Sequence, residues 1–357
     1  MNTYLLKELS LHKQLEPQDV IKFLYQSLYG PEHLIGPDDR DAVFSYFLKE
    51  YDDAVPKDSK LVTQLSEKYS RIDIGAYKRL GLDPVHFFNM FYLSAGKAQA
   101  GKDAIISCID EIKKDFDVYG FAFSHDQFDE YCRSYVSSGM GAVHHSSSYR
   151  DLYRPSYRLV DNRYLPVLTV LSQVRDRKGT KLYIIAVDGR CGSGKSTLSS
   201  DISAVTGASV IHMDDFYVPI KLRTSERYSV PGRNVHLERI KQEVIPEMMK
   251  GDSFSYRLFD HSTMDIGDRT RSVPANDLYV VEGAYSQNPE LGKYYDLSVF
   301  YDIDPELQIE RIAKRNPDKV VDFKTRWIPL EEEYLKFYSI RDKADIILHA
   351  GQLDIDL

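Results

Sequence analysis

The residues best suited to chemistry lie in the segment LYIIAVDGRCGSGKST, where an apolar run leads into a glycine-rich turn. Gly189, Gly194, Lys195 and Ser196 complete the spacing G-x-x-x-x-G-K-[ST], the Walker A or phosphate-loop (P-loop) pattern. Glycines let the backbone curl around a phosphate chain with its N–H groups inward, and the next helix adds a positive N-terminal end. The pattern predicts a nucleoside triphosphate site. Its predicted binding residues are Gly189, Cys191, Gly192, Ser193, Gly194, Lys195, Ser196 and Thr197.

Two side chains of this loop have separate predicted roles. Lys195 would reach the β- and γ-phosphates, and the Ser196 hydroxyl would ligate magnesium. The alternative is a chance match in a Gly- and Ser-rich turn. The β-rich run before the pattern and the helical pattern after it favour the functional interpretation.

Carboxylates follow two further candidate strands. The apolar segment ASVIHM leads to Asp214 and Asp215, and LYVV leads to Glu282. Ligands gather at the carboxyl ends of strands in a doubly wound sheet, so one of the aspartates is a candidate base for an acceptor hydroxyl. Alternatively, the aspartates cap the next segment or bind magnesium through water. Glu282 is a candidate magnesium ligand, with a strand-end salt bridge as the alternative.

Composition limits the class of protein. The chain has 357 residues, of which 28% are charged and 43% hydrophobic, and its formal net charge is -8. This length suggests two domains, and the acidic balance argues against a nucleic-acid binder. No apolar run is long enough for a membrane span, and the polar N-terminus is not typical of a signal peptide. Three cysteines without paired spacing fit a cytoplasmic location.

Hydrophobic patterning divides the chain into two halves of different character. Residues 1–160 predict a mainly helical accessory domain, with a loop over 139–164. Residues 161–357 alternate between strand and helix patterns, which predicts an α/β domain with a parallel five-stranded sheet. The predicted helices are 19–29, 84–95, 102–116, 126–137, 165–175, 195–205, 237–250, 305–316 and 330–344. The predicted strands are 181–187, 208–212, 278–281, 297–301 and 345–348.

A series of motifs follows in order through the second half: GRCGSGKST, MDDFY, YRLFDH, VVEGAY, RIAKRN and RWIPLEEEY. In this order and at this spacing they resemble the uridine kinase and phosphoribulokinase group of P-loop kinases, in particular bacterial uridine kinase-like proteins with an added helical N-terminal region. The resemblance implies a kinase that uses ATP and magnesium to phosphorylate a small-molecule hydroxyl acceptor, with a mobile arginine-bearing lid. The acceptor would be a nucleoside such as uridine, or a related sugar or alcohol.

The resemblance also implies roles for individual residues. Asp214 corresponds to the catalytic base and Glu282 to a glutamate near magnesium and acceptor, while Arg311 and Arg315 would clamp the transferring phosphoryl. The residues implied to support or contact the acceptor are Asp215, Tyr217, Tyr256, Asp260, His261 and Arg326. Simpler interpretations stay open, since the two lid arginines share a helix face that could be solvated. Tyr256 could pack in a strand, and His261 could lie on a surface loop.

One departure from the resemblance concerns the acceptor. His236, in PGRNVHLERI, stands where many similar sequences have an aspartate, so an acid that would hold sugar hydroxyls is missing there. This departure leaves open an acceptor other than uridine or any nucleoside. A nucleotide-gated regulator or assembly protein with little turnover is the alternative function, because a P-loop alone does not establish phosphotransfer.

The first half has no chemical motif of comparable specificity. Glu32, His33, His144 and His145 would form a metal site if the fold brought them together, although loop and core histidines are the simpler interpretation. The arginines and tyrosines of GAVHHSSSYRDLYRPSYR could reach an anionic ligand or cover the surface of a helical domain. The expected role is to shape acceptor choice or to bring copies together in a homo-oligomer.

Overall fold

The computed structural model describes residues 1–31, 40–96, 100–174 and 182–352. The chain forms two compact units, one from Met1 to Leu165 and a second that begins at Pro166. No helix in these described ranges is both long and apolar enough to cross a membrane.

The first unit is mainly helical, as predicted. The helix predicted to begin at Asp19 begins two residues earlier, at Pro17. The capping box of Glu16 and Asp19 and the ring of Pro17 stabilise this start. A capping box of Ser124 and Gln127 likewise starts a helix at His125. The helices are α1 (Thr3–Leu11), α2 (Pro17–Tyr29), α3 (Arg40–Asp53), α4 (Ile74–Arg79), α5 (Pro84–Ser94), α6 (Lys102–Lys114), α7 (Phe116–Tyr119), α8 (His125–Ser137), α9 (Ser147–Tyr153) and α10 (Leu165–Gln173), the last of which crosses the unit boundary.

The first unit also contains a three-stranded antiparallel sheet that the sequence analysis did not predict. The strands are β1 (Val62–Gln64), β2 (Tyr69–Asp73) and β3 (Tyr157–Asp161), with β2 in the centre. The predicted loop over 139–164 is therefore wrong where it contains α9 and β3. The strands are short, and β3 pairs with β2 across a long stretch of chain, placing Val160 opposite Ser70. Such pairing leaves little local signal in the sequence.

The second unit contains the predicted parallel five-stranded sheet. Its strands are β4 (Tyr183–Gly189), β5 (Ser209–His212), β8 (Leu278–Glu282), β9 (Leu297–Asp302) and β10 (Ile346–His349), in the spatial order β10-β9-β4-β8-β5. The central strand β4 is buried along most of its length because helices cover both faces of such a sheet. The carboxyl ends of β4, β5 and β8 lie next to one another, which positions the P-loop beside the two acidic segments. Lys181, where the first predicted strand starts, lies outside the described residues.

A β-hairpin extends the second unit beyond this sheet. Strands β6 (Phe254–Asp260) and β7 (Asp265–Val273) pair antiparallel, and β6 carries the YRLFDH motif. The helices of this unit are α11 (Lys195–Thr206), α12 (Ser225–Tyr228), α13 (Leu237–Arg239), α14 (Ile245–Lys250), α15 (Pro305–Arg315), α16 (Val320–Asp322), α17 (Ile328–Tyr338) and α18 (Ile340–Lys343). A π-helical turn over Ile240–Val244 joins α13 to α14, so the predicted helix over 237–250 is one helical run.

Candidate active site

The P-loop connects the end of β4 to the start of α11. Gly189 has φ +133°, and a Cβ atom there would lie 2.2 Å from the carbonyl oxygen of Tyr301. Only glycine fits this combination of backbone conformation and contact. Gly194 also has positive φ and immediately precedes α11, whose first residue is Lys195. The backbone N–H groups at this helix start can therefore bind phosphate oxygens.

The two predicted side chains of the loop lie at its centre. The Lys195 ammonium donates hydrogen bonds to the carbonyl oxygens of Gly189 at 2.7 Å and Arg190 at 2.9 Å. The Ser196 hydroxyl donates to Glu282 Oε2 at 3.1 Å. The predicted magnesium residues Ser196 and Glu282 are thus in direct contact, although the chain separates them widely.

Glu282 is held at the end of β8 by more than Ser196. Its side chain is buried, and His212 Nδ1 lies 2.5 Å from Glu282 Oε1 at the end of the adjacent strand β5. Gly283 follows with φ +128°, and a Cβ there would lie 2.8 Å from that of Met213. A glycine is therefore required for β5 and β8 to approach at this edge.

Asp214 lies just beyond the end of β5. Its Oδ1 accepts a hydrogen bond of 3.1 Å from the Tyr217 hydroxyl. Desolvation by the surrounding protein and the like charge of Glu282 raise the pKa of Asp214, against an opposing effect of Lys195. A carboxylate whose pKa is raised in this way is a stronger proton acceptor than an ordinary surface aspartate.

Asp215 is engaged differently. Its Oδ2 accepts hydrogen bonds from Arg271 Nε at 2.7 Å and from the Tyr256 hydroxyl at 2.9 Å, which ties the residue to both strands of the hairpin. The Tyr256 side chain is buried. Burial raises the pKa of Tyr256, and the nearby charge of Asp215 and the hydrogen bond to it raise this pKa further. The geometry gives Asp215 and Tyr256 an anchoring position, which leaves Asp214 as the aspartate open to a ligand.

Asp214 forms part of a pocket of about 230 Å³ between the hairpin and the segment that follows α15. Aromatic rings make much of its wall: Tyr217 lies 5.8 Å from Phe259, 5.7 Å from His261 and 6.2 Å from Trp327 between ring centroids. Arg223 and Lys319 contribute positive charge to the lining. We refer to this cavity as the Asp214 pocket. Of the predicted acceptor residues, it includes Tyr217 and His261.

The other predicted acceptor residues lie outside the lining of the Asp214 pocket. Asp260 Oδ1 accepts hydrogen bonds from the backbone N–H and hydroxyl of Ser262, which closes the hairpin turn. Arg326 is exposed and stacks on Trp327, with its guanidinium carbon 4.8 Å from the ring centroid. The Trp327 ring lines the pocket, so Arg326 contacts a residue of the pocket wall without lining the pocket itself.

The two arginines predicted to belong to a lid differ in their contacts. Arg311 donates to the P-loop carbonyl oxygens of Gly192 at 3.2 Å and Ser193 at 3.0 Å. Arg315, one turn later on α15, is exposed. Arg311 thus supports the shape of the loop, whereas the exposed Arg315 ends the helix beside the side-chain amide of Asn316.

The helix α17 supplies two acidic contacts to the P-loop that the sequence analysis missed. Glu331 Oε2 accepts a 2.9 Å hydrogen bond from the backbone N–H of Cys191, and Glu332 Oε1 accepts one of 2.5 Å from Arg190 Nε. Arg190 also pairs with Asp302 at the end of β9. Desolvation raises the pKa of Glu331, and the positive charge of Lys195 partly offsets this effect. The acidic run in RWIPLEEEY is the sequence feature that could have indicated these contacts.

Asp188 is a second residue that the sequence analysis missed. It is fully buried and accepts hydrogen bonds from the backbone N–H of Gly189 at 2.7 Å, from Gln287 N–H at 3.0 Å and from the Tyr334 hydroxyl at 2.8 Å. It therefore joins the P-loop to α17 and to the segment after β8. Its position one residue before the first P-loop glycine was the available signal.

Comparisons with known proteins match about half of the chain. No protein-family profile matches the sequence. The uridine kinase of Chlamydia pneumoniae is 26% identical over 189 residues, covering 48% of this chain and 82% of that protein. The uridine kinase of Bacillus mycoides is 23% identical over 191 residues, covering 48% of this chain and 87% of that protein. A solved structure of a possible uridine kinase from Bacillus stearothermophilus matches with 21% identity and a TM-score of 0.40, covering 52% of this chain and 97% of the other.

The second half of the chain, which we call the kinase domain, is thus similar to uridine kinases. This similarity confirms the predicted resemblance, and the parallel five-stranded sheet confirms the predicted fold class. In the kinase domain, the fold brings together Lys195, Ser196, Asp214 and Glu282 at one edge of the sheet. The metal site suggested for the first half has no such support. Glu32 and His33 lie outside the described residues, and within the described ranges no three His, Cys, Asp or Glu residues form a metal-binding group.

Proposed function

We propose that the kinase domain transfers the γ-phosphoryl group of magnesium-ATP to a hydroxyl of a small molecule held in the Asp214 pocket. The observation that carries the proposal is the position of Asp214, which lines this pocket and is also close enough to Glu282 and Lys195 to interact with their charges. A proton acceptor thus faces the acceptor pocket beside the phosphate-binding residues. The most suitable acceptors are a nucleoside such as uridine and related sugars or alcohols.

The nucleotide would bind through the P-loop. Backbone N–H groups at the start of α11 and the Lys195 ammonium suit the β- and γ-phosphates. The Ser196 hydroxyl and the Glu282 carboxylate offer neighbouring hard oxygen donors, which is the ligand type that magnesium prefers. When bound, magnesium would neutralise charge on the phosphate oxygens.

The acceptor would be oriented by the rings of the Asp214 pocket. Tyr217, Phe259 and Trp327 present flat apolar surfaces that suit a planar ring, while Arg223 and Lys319 suit polar or negatively charged groups. The volume of about 230 Å³ suits one ring system or a short polyol. Asp214 would then accept the proton of the hydroxyl as that oxygen attacks the γ-phosphorus. Arg315 would stabilise charge on the phosphoryl group during transfer.

The test is an acceptor screen with the full chain, ATP and magnesium, in which ADP release is measured against nucleosides, pentoses and hydroxy acids. The proposal predicts acceptor-dependent ADP release that Asp214→Asn reduces by several orders of magnitude while ATP binding stays within a few-fold of the unsubstituted protein. Equal turnover in Asp214→Asn would refute the role of Asp214. Tight ATP binding with no ADP release for any acceptor would instead favour the nucleotide-gated regulator.

A further inference from the structure

The first unit has a pocket of its own, with a volume of about 440 Å³. It lies between α2, α3, the segment before α9 and the edge strand β3 of the small antiparallel sheet. We call it the unit-1 pocket, and its polar lining consists of Lys22, Gln26, Glu50, His144, His145, Tyr157 and Arg158. The volume falls in the range of ordinary small-molecule sites. The chemistry of these side chains therefore decides what the pocket can hold.

A buried ion pair lies behind this lining. Arg71, on the central strand β2, has its Nη1 2.6 Å from Glu8 Oε1, and both side chains are almost fully buried. Arg71 Nη2 also donates to Gln26 Oε1 at 2.9 Å, and its guanidinium carbon lies 4.7 Å from the centroid of the Tyr157 ring. The positive charge of Arg71 is thus compensated by Glu8, and the pair fixes the orientation of Gln26.

A second set of hydrogen bonds fixes the wall near His145. Its Nε2 lies 2.7 Å from the Tyr157 hydroxyl and its Nδ1 3.2 Å from Asp19 Oδ1. Burial lowers the pKa of His145 to about 4, with further lowering from the charges of Arg71 and Lys22, so the imidazole is neutral near pH 7. Asp19 also accepts hydrogen bonds from the backbone N–H and hydroxyl of Ser146. Its charge is therefore satisfied without Lys22.

The acid in the lining is likewise compensated. Glu50 forms an ion pair with Arg158, whose guanidinium also lies 5.6 Å from the Phe91 ring centroid. Arg158 Nη1 donates to the carbonyl oxygen of Tyr157 at 3.1 Å. An organic cation would therefore meet a carboxylate that is already paired, which makes a cationic ligand unsuitable for the unit-1 pocket.

Lys22 is the cation that this arrangement leaves without a carboxylate. Its Nζ donates to the carbonyl oxygen of Val143 at 2.9 Å, and within the described ranges no carboxylate forms an ion pair with it. An ammonium group has three donors, so further donors are available to a ligand. Burial and the charge of Arg71 lower the pKa of Lys22 to about 8, against the opposing effect of Asp19. An anion in the pocket would relieve this unfavourable environment.

We propose that the unit-1 pocket binds a small metabolite through one oxyanion group, a carboxylate or a phosphate, with Lys22 as its charged partner. Arg158, which also lines the pocket, is paired with Glu50, so Lys22 is the cation available to the ligand. The neutral groups of Gln26 and Tyr157 are held in place to contact the remainder of the molecule. This site consists of first-unit residues alone and does not rest on the proposed kinase activity.

The test uses three probes with one carbon skeleton: glycerate, glycerol 3-phosphate and glycerol. Binding is measured by calorimetric titration of the full chain carrying Lys195→Ala. This substitution removes the main phosphate-binding cation of the kinase domain, so that binding there does not interfere. We expect binding of at least one of the two anions and none of glycerol, and the stronger anion identifies the oxyanion. Lys22→Met in the same background should weaken that binding about tenfold or more, as expected for a charge-assisted hydrogen bond. Lys7→Met, at an exposed lysine of α1, should leave it unchanged.

A second measurement keeps the proposal testable if Lys22→Met does not fold. Affinity for the anion that binds should fall as pH rises through about 8, because binding favours the protonated Lys22. The charged or titratable groups that line the pocket with Lys22 or act on its charge are Asp19, Glu50, Arg71, His144, His145, Tyr157 and Arg158. Of these, His145 is already neutral at that pH and the pKa of Tyr157 is raised. No binding of either anion, equal affinity in folded Lys22→Met, or an affinity independent of pH would overturn the proposal.

Discussion

The backbone N–H of Cys191 donates a 2.9 Å hydrogen bond to the carboxylate of Glu331. A carboxylate side chain of α17 thus contacts the loop that we propose to bind the negatively charged triphosphate. The interaction also links the RWIPLEEEY motif to the P-loop, which lies far away in the sequence. Nucleotide affinity should therefore depend on the charge at Glu331 as well as on Lys195.

We expect Glu331→Gln to increase affinity for ATP about three- to tenfold, since it removes a like charge near the phosphates and keeps a hydrogen-bond acceptor. Titration with ATP measures the change. Glu333→Gln is the matched control, because Glu333 is exposed on the same helix. A weaker affinity in Glu331→Gln would mean that Glu331 instead holds the loop in its binding conformation.

The raised pKa of Asp214 predicts a pH dependence of turnover. A base must be ionised to accept a proton, so kcat should fall as pH decreases toward the pKa of Asp214, which lies above the ordinary aspartate value. The rate profile should therefore have an acidic limb that lies at higher pH than an ordinary aspartate would give. Its absence, with the protein still folded at the lowest pH, would argue against Asp214 as the base.

Asp215 should matter more for stability than for chemistry. Asp215→Asn weakens the charge-assisted contact with Arg271 and the hydrogen bond from Tyr256, so we expect a loss of about 1 to 3 kcal/mol in the free energy of unfolding. Chemical denaturation gives this value. Asp214→Asn, at the adjacent position, should change stability far less while removing activity. The opposite pattern would exchange the roles of the two aspartates.

Substitution of the two arginines of α15, Arg311 and Arg315, should have different effects on kcat and on KM for ATP. Arg315→Ala should lower kcat about tenfold or more with little change in KM for ATP, because an exposed guanidinium would contact the phosphoryl group during transfer. Arg311→Ala should also raise KM for ATP, since Arg311 bonds to the carbonyl oxygens of Gly192 and Ser193. Steady-state kinetics with varied ATP measures both. If Arg315→Ala changed only KM, the proposed role of Arg315 in stabilising the transition state would be contradicted.

Glu8 predicts how the first unit responds to acid. Burial alone would raise its pKa, but the charge of Arg71 and contacts with His12 outweigh burial and lower it to about 2. Because the folded-state pKa lies below the ordinary value of 4.5, the stabilisation is complete above that value and is lost as pH falls toward 2. The difference corresponds to about 3 kcal/mol. Glu8→Gln should flatten this part of the stability-versus-pH curve, measured by denaturation. An unchanged slope would contradict the assignment.

The sequence determined the parts of the kinase site that are local in the chain. The P-loop spacing fixes Gly189, Lys195 and Ser196 relative to one another, because a strand, a tight turn and a helix follow directly in sequence. The carboxylates at Asp214 and Glu282 could also be predicted, since both follow buried strands of a parallel sheet and such strands end at one edge. These features depend on periodicity and short-range backbone geometry.

Only the tertiary structure decided which distant side chains meet. Nothing in the sequence pairs Arg271 with Asp215 or places Glu331 on Cys191, because the strand register and helix packing that create these contacts depend on the whole unit. The antiparallel sheet of the first unit and the pocket beside Lys22 likewise depend on contacts between distant parts of the chain. The short strands of this sheet gain stability from pairing across the chain and from burial rather than from local propensity. Spacing thus fixes local chemistry, while burial and long-range pairing select its partners.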